Sequence, residues 1–366
     1  MRTVIHVEAG MHLYGGALQV FYLLRGLREK PFRNVLVCPE GSAIGQAAEE
    51  MVDRVYEVPM KGDLDLGFIS RLRKIVRLEK ADLVHLHSRR GADVLGGIAA
   101  KLEKTKCIVS RRVDNPESPL VAKLKYRLFD RVVTISNGIR QVLLSEGVVP
   151  ERVVCVHSAV DVAKFDRQAE RDWFLKEFDL PDNAKVLAVI AQLIHRKGHR
   201  HLLAALPEVL KKHPEAYGLL FGKGPLFDEL QTKIQALGFQ NRVRMVGFRD
   251  DLERILPCLY GVVHPADMEG LGVSLLQAAA AGVPLIGTNA GGIPEIVRHG
   301  ENGILIEPKN VAQLREAMLT LLSDEAQAKQ WGQAGKEIVN EEFSIGAMVE
   351  GNYQIYQSLF SKGVNG

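Results

Sequence analysis

Thirteen short apolar runs, most of them rich in β-branched residues, alternate along this chain with segments of 3.6-residue periodicity. That rhythm is the strongest constraint on its fold. Strand, helix and strand in succession predict parallel strands joined by crossover helices, with both sheet faces covered. The first half offers strands at Thr3–Val7, Val35–Cys38, Val55–Pro59, Leu83–Leu86, Lys106–Ser110, Arg131–Ile135 and Val153–Val156. The second offers Lys185–Ile190, Tyr217–Phe221, Val243–Val246, Gly261–His264, Pro284–Thr288 and Gly303–Ile306. The charged stretch Asp161–Ala184, with Pro181, separates the sets, and the linker is placed at its start. Two doubly wound α/β domains are expected, at 1–165 and 166–345, and 366 residues suffice for both. Ligands of such sheets sit beyond the carboxyl ends of the strands, where the strand order reverses. With two such domains, the cleft between them is the natural active site.

Residues 264–306 carry the densest chemical signal. Glu269 directly precedes Gly270-Leu271-Gly272, and a helical run follows from Val273 to Ala281 before Gly282 stops it. A further strand and a second glycine pair, Gly291-Gly292, come next. The first turn of a helix has free N–H groups and the positive end of the macrodipole, and glycines let a phosphate approach them. A carboxylate there repels phosphate, so Glu269 suits a neutral, hydroxyl-rich group beside it. Gln277 lies eight residues on, and eight helical residues rise ~12 Å, about the span from a hexose across a diphosphate to a ribose. The pattern suits a sugar joined to a diphosphate.

Two further stretches fit the same ligand, and a histidine pair ends a third strand. Arg196-Lys197-Gly198 follows the strand Lys185–Ile190, and adjacent cations there could neutralise a diphosphate. Gly15-Gly16 follows the first strand at loop distance and could bring N–H groups to phosphate. His85 and His87 end the strand Leu83–Leu86 and share one face by alternation.

These motifs resemble the large retaining glycosyltransferase family with the GT-B fold, the group 1 or family 4 type that includes many lipopolysaccharide-core and cell-envelope transferases. Its pattern is Glu, Gly, an apolar residue, Gly, then a second Glu eight positions after the first. Glu269, Gly270, Leu271 and Gly272 match, with Val273 opening the helix; the second Glu is replaced by Gln277, which still accepts through its carbonyl oxygen but carries no charge. In the family that second position accepts hydrogen bonds from the ribose. Lys197 matches the lysine that grips the diphosphate, the family's upstream Arg aligns with Gln192, and Arg196 offers the missing charge. Gly16 matches the second glycine after strand one, although the acidic residue two positions on is Leu18. The family often carries His-x-His, with the second, His87, near the sugar and His85 structural. The base is placed near the loop holding Phe248, which can stack or pack, and Gly222–Pro225 is the glycine-rich turn. The resemblance implies α/β architecture of the GT-B type, two doubly wound Rossmann-like domains facing each other across a cleft, with a terminal helix at about 346–366 packed back on the first.

Other readings are set aside. Asp63-Leu64-Asp65 has the form of a metal motif but reads as a helix cap. His199 and His201 are expected at the surface. Gly270-x-Gly272 lacks the third glycine of a dinucleotide fingerprint. Cys38, Cys107, Cys155 and Cys258 show no C-x-x-C spacing. No metal and no cofactor is expected, the nucleotide-sugar being a co-substrate. The first 170 residues carry 27 Lys+Arg against 21 Asp+Glu, the rest 20 against 23. That excess is too small to argue for nucleic acid. It agrees with two basic amphipathic stretches, Phe68–Arg77 and Leu120–Arg131, near Arg89-Arg90 and Arg111-Arg112, as a surface for anionic lipid or a phosphorylated glycolipid. No run of about eighteen apolar residues predicts a membrane span, and the N-terminus lacks a signal-peptide core. The expected location is cytoplasmic, peripheral on the inner face of the membrane.

The expectation is a metal-independent retaining transferase that moves a sugar from a nucleotide-diphosphate-sugar to a glycan or lipid-linked acceptor in cell-envelope or lipopolysaccharide synthesis. Glu269, Lys197, Arg196 and His87 would be catalytic. Gly16, Gln192, Phe248, Gly270, Leu271, Gly272, Val273 and Gln277 would bind donor. The alternatives are a non-catalytic nucleotide-sugar-binding protein, for which Leu18, Gln192 and Gln277 speak, or an epimerase or phosphorylase of the same fold.

Overall fold

The computed structural model describes residues 1–88 and 91–361. Arg89-Arg90 and the end of the expected terminal helix, 362–366, lie outside the described residues. All thirteen apolar runs are strands: β1 Arg2–Val7, β2 Phe32–Cys38, β3 Arg54–Glu57, β4 Leu83–Leu86, β5 Lys106–Arg111, β6 Arg131–Thr134, β7 Val153–Cys155, β8 Lys185–Ile190, β9 Ala216–Phe221, β10 Val243–Gly247, β11 Gly261–His264, β12 Leu285–Thr288 and β13 Gly303–Ile306. β2 starts three residues before the expected Val35, because Arg33 and Asn34 separate its first residue, Phe32, from the apolar run. Arg33 pairs with Glu79, and the Asn34 side chain is buried against His6.

One compact unit comprises Met1–Ala159 and the terminal helix Ile345–Phe360. Its sheet has the order β3-β2-β1-β4-β5-β6-β7, and every pairing is parallel. Val84, Leu86, Val109 and Val132 meet Phe68, Leu72, Leu95 and Phe129 in one apolar cluster. The other includes Val4, Leu23, Leu83 and Ile108 with Met348, Val349, Ile355 and Tyr356 of the terminal helix. A Cβ on Gly26 would overlap Val349, so this close helix contact requires glycine. Ser42, Ser118 and Ser136 cap helices by accepting from the third residue on.

The helix Gly67–Leu78 corrects one expectation. Phe68, Leu72, Ile75 and Val76 are core residues. Arg73 and Arg77 both clasp Glu103, and Arg71 pairs with Asp65. Its basic amphipathic pattern is that of a helix on a core.

The second unit spans Val160–Ser344. Asp161–Phe165, given to the first domain by the sequence reading, sits here. Phe165 is buried, and its short helix packs on the helix Val273–Ala280. Val160 N–H donates to the Phe343 carbonyl at 2.9 Å, pinning the unit's first residues to its last. The sheet order is β10-β9-β8-β11-β12-β13, again all parallel. Leu202, Leu206, Val209, Leu314, Met318 and Trp331 cover Val189, Leu220, Val263 and Ile286.

Candidate functional site

Strand order locates the sites. In the second unit the chain runs outward from β8 to β9 and β10, then returns to place β11 on the other side of β8. The reversal lies between β8 and β11, where a doubly wound sheet opens a crevice for ligand. Lys197 follows β8 and Glu269 follows β11, and they meet there: Lys197 Nζ bonds Glu269 Oε2 directly. His264 Nε2 donates to the same oxygen at 2.8 Å, and Gly270 N–H donates to Glu269 Oε1 at 3.0 Å. Burial alone would raise the Glu269 pKa, but His264 and Lys197 hold it well below the usual carboxylate range. The carboxylate is therefore charged at neutral pH.

Glycines set the spacing. Gly198 has φ 71°, and a Cβ there would strike the Pro265 carbonyl oxygen. Asp267 N–H donates to the Arg196 carbonyl at 2.7 Å, and Asp267 also holds Arg200 and His201. Gly291 has φ 56°, and a Cβ on it would overlap the Glu269 carbonyl oxygen, which accepts from Gly292 N–H at 3.1 Å. Both glycine loops thus bear on the backbone around Glu269. Gly272, in the left-handed region, opens the helix Val273–Ala280. Gly270, Leu271 and Gly272 are buried at its N-terminus, Val273 and Gln277 are half-buried on it, and Gln192 is exposed in the loop after β8.

The loop after β9 sits on its neighbours. Gly222 N–H donates to the Gly247 carbonyl at 2.7 Å, and Leu193 N–H to the Lys223 carbonyl at 3.1 Å. Phe248 is 64% exposed, with Lys223 Nζ 4.7 Å from its ring centroid. It does not pack into the core. His199 departs from expectation. It is buried, its ring nitrogens have no hydrogen-bond partner among the described residues, and burial lowers its pKa to about 4, helped by His264 and Lys197. His201 is half-buried and bonded to Asp267.

The first unit repeats the logic. Its strand order reverses between β1 and β4. A cavity of about 610 Å³ lies there, lined among others by Glu8, Gly10, Gly16, His87, Ser88 and Arg112. Gly16 opens the helix Gly16–Leu27 without a Cβ, which would stand 3.4 Å from Arg112 Cδ. His87 Nε2 lies 3.0 Å from His6 Nδ1. His85 is fixed by Tyr356 OH at 2.7 Å and Ser110 Oγ at 2.9 Å, as its structural reading requires. Asp65 of the discounted acidic motif pairs with Arg71 and accepts from Lys61 N–H.

Comparison with known proteins decides the family. Residues 170–338 match the model of the glycosyl transferases group 1, and residues 14–164 that of glycosyltransferase family 4. The chain belongs to the group 1 glycosyltransferases. This glycosyltransferase is 24% identical to the N-acetyl-alpha-D-glucosaminyl L-malate synthase of Bacillus anthracis, over 99% of its own length and 95% of the relative's. It is 25% identical to an Escherichia coli UDP-Gal:alpha-D-GlcNAc-diphosphoundecaprenol alpha-1,3-galactosyltransferase, over 88% of each chain. Among solved structures, Anabaena HepE in complex with UDP-glucose superposes with a TM-score of 0.83 at 20% identity, covering 99% of this chain and all of the other. Its fold is GT-B.

Several residues of the two candidate sites carry little mark in the sequence. His264 ends an apolar strand and reads as core, yet it is the second partner of Glu269. Glu8 directly follows β1 and is buried, with Oε1 accepting from Gly10 N–H at 2.8 Å. Only the polar residue directly after a five-residue apolar strand could have marked it. Arg112, expected at a basic surface, lines the cavity beside Glu8.

Proposed function

We propose that this glycosyltransferase moves a sugar from a nucleotide-diphosphate donor, bound by the second unit, to a hydroxyl of a glycan or lipid-linked acceptor, with retention and without a metal. The Lys197–Glu269 pair at the strand reversal carries the proposal. The bond from anomeric carbon to phosphate oxygen breaks, the acceptor oxygen takes its place, and the hydroxyl proton leaves with the diphosphate. Lys197, Arg196 and the N-terminus of the helix Val273–Ala280 neutralise the charge developing on that leaving group, which is the principal catalytic contribution in such a site. Glu269, charged and oriented, holds sugar hydroxyls. Gln277 reaches the ribose, and Phe248 offers the base an exposed ring. The Anabaena structure with UDP-glucose supports a nucleotide-sugar donor, and the Escherichia coli relative supports a lipid-linked acceptor.

A membrane-facing surface is part of the proposal. Among the described residues no helix is long and apolar enough to cross a membrane. The helix Pro119–Lys125 exposes Leu120 at 80%, Val121 at 55% and Leu124 at 68%, beside exposed Lys123 and Arg127. A groove nearby is lined by Lys101, Lys104, Lys106, Arg127, Arg131 and Arg152 against one acid, Asp130. Apolar tips rimmed by cations complement an anionic bilayer.

Thermal shifts with UDP-glucose, UDP-N-acetylglucosamine, UDP-galactose, GDP-mannose and ADP-heptose test the donor reading, since a ligand of the folded state raises the melting temperature. A shift with one donor that disappears in Glu269→Ala and Lys197→Ala is expected. No shift with any of them would favour a non-catalytic relative.

A further inference from the structure

The cavity of the first unit is backed by a buried chain of side chains whose proton positions follow from their partners. Asn34 Nδ2 faces the Phe32 carbonyl at 3.5 Å, which turns Oδ1 toward His6 Nε2 at 3.2 Å. A carboxamide oxygen only accepts, so His6 carries its proton on Nε2. Burial keeps His6 neutral, its pKa lowered to about 4, so its Nδ1 is a bare lone pair. The 3.0 Å bond to His87 therefore runs from His87 Nε2–H to His6 Nδ1. A neutral imidazole has one N–H, and the partner of one nitrogen sets the state of the other. His87 is then unprotonated at Nδ1. That atom is buried and has no hydrogen-bond partner among the described residues, on a side chain that lines the cavity.

We infer that Asn34 and His6 are positioning residues that fix His87 as a hydrogen-bond acceptor at Nδ1, and that the cavity takes a polyhydroxylated ligand that donates a hydroxyl there. The ligand assignment rests on the transferase reading of this unit; the proton assignment does not. Glu8 agrees with it, because its buried Oε2 is a second acceptor without a partner among the described residues. Two unfilled acceptors ask for O–H donors, while Arg112, which lines the same cavity and whose buried Nε is a donor without a partner among the described residues, offsets the charge of Glu8 and can donate to a further ligand hydroxyl. A metal ion between the rings is the competing use, since nitrogens of His6, His85 and His87 lie within 4.8 Å of one another. Yet all of those nitrogens except His87 Nδ1 are already bonded, to Asn34, Tyr356, Ser110 or each other. An intact relay leaves no nitrogen pair free to chelate.

Long-range proton–nitrogen spectra of the full-length protein, ¹⁵N-labelled at histidine and free of substrate, read the tautomers directly. His6 and His87 are both expected in the Nε2–H form. Asn34→Leu removes the first acceptor and should turn His87 into a mixture of tautomers. Asn34→Asp keeps the acceptor and should restore the single form. If Asn34→Leu does not fold, His6→Phe removes the acceptor facing His87 and is read in its place. D-glucose in excess should move the His87 Nδ1 resonance saturably in the wild type and not in Asn34→Leu, whereas sulfate should not move it. A proton on His87 Nδ1 in the wild type overturns the relay, as does a tautomer indifferent to Asn34. A response to sulfate but not to glucose, or to neither, overturns the ligand class. The donor thermal shifts are read on other residues, so failure of the transferase reading would show there with the tautomers intact.

Discussion

Lys197 and Glu269 are 72 residues apart in the chain and form a buried ion pair where β8 and β11 lie side by side. Neither charge is in a position to be solvated well, so each depends on the other and on His264. A lysine held this way keeps a compact cation at the strand reversal, aimed by its partner. In the proposed reaction a diphosphate arriving beside it would compete with one carboxylate oxygen for a cation already in place.

Removing that cation should act on the transition state. Lys197→Ala is expected to lower kcat/KM by ~2–4 kcal/mol, the usual loss when one electrostatic donor is removed from a preorganised site. Steady-state kinetics with the donor found by thermal shift checks it. Activity within about threefold of wild type would remove Lys197 from the mechanism, because an effect that small is under ~1 kcal/mol.

Acid should destabilise the protein in two windows. His6 and His199 have folded pKa values lowered to about 4 by burial, and His85 and His87 are also lowered well below 6.5. As pH falls from 6.5 to 4 the unfolded chain binds these protons and the folded one does not, so stability falls, by about 3 kcal/mol for a shift of this size at one histidine. Glu269 acts lower. Its folded pKa is depressed, so its contribution is present above about 4.5 and is lost as pH falls further. Glu8 is raised and opposes this, one group against the others. Melting temperature against pH should drop below 6.5, and His199→Leu should flatten that limb. An unchanged slope would mean that His199 is not buried and neutral.

The alternation of apolar runs made the strands legible, down to the seven-and-six division. Lys197 and Glu269 were legible because each follows a strand with a glycine at its heel. What was hidden lies inside apolar runs. His6 sits inside β1, Asn34 just before the run Val35–Cys38 and His264 at the end of β11, where a polar residue reads as noise, and their meaning appears only when β1 has β2 and β4 beside it, or when His264 meets a loop five residues on. His199 was misjudged for the same reason: a helix N-terminus looks exposed until a sheet is laid against it. The basic helix Gly67–Leu78 misled in the opposite direction, because sequence does not show that Glu103 answers two of its arginines.

The glycine loops allow a sharper separation of strain from collision. Gly291→Ala places a Cβ on the Glu269 carbonyl oxygen at a positive φ, while Gly238→Ala has a positive φ with nothing within 4 Å. Alanine where φ is positive destabilises by more than ~1 kcal/mol. Both variants should lose melting temperature, but only Gly291→Ala should also lose the donor-induced shift, because it moves the backbone that carries Glu269. Equal donor shifts in the two variants would mean that the second glycine loop does not position that carboxylate.

The proposed membrane-facing surface makes a prediction that separates its apolar and ionic parts. Leucine side chains exposed as Leu120 and Leu124 are would each gain up to ~1.5–3 kcal/mol on full burial among acyl chains, less at the interface. Each cation near an anionic surface adds ~1 kcal/mol, and that part decays within a Debye length of ~8 Å at physiological salt. Sedimentation with vesicles rich in phosphatidylglycerol should therefore pull down the wild type, and raised salt should weaken the binding without abolishing it. Leu120→Ser with Leu124→Ser should leave a weak interaction that salt removes entirely. Neutralising Arg127, Arg131 and Arg152 to Gln should instead leave binding that responds less to salt and to the anionic lipid fraction, with Lys101, Lys104, Lys106 and Lys123 still charged. These side chains are outside both candidate sites, so donor-induced thermal shifts should be unchanged in either variant. Wild-type protein that stays in the supernatant at low salt would show that the exposed leucines face something other than a bilayer.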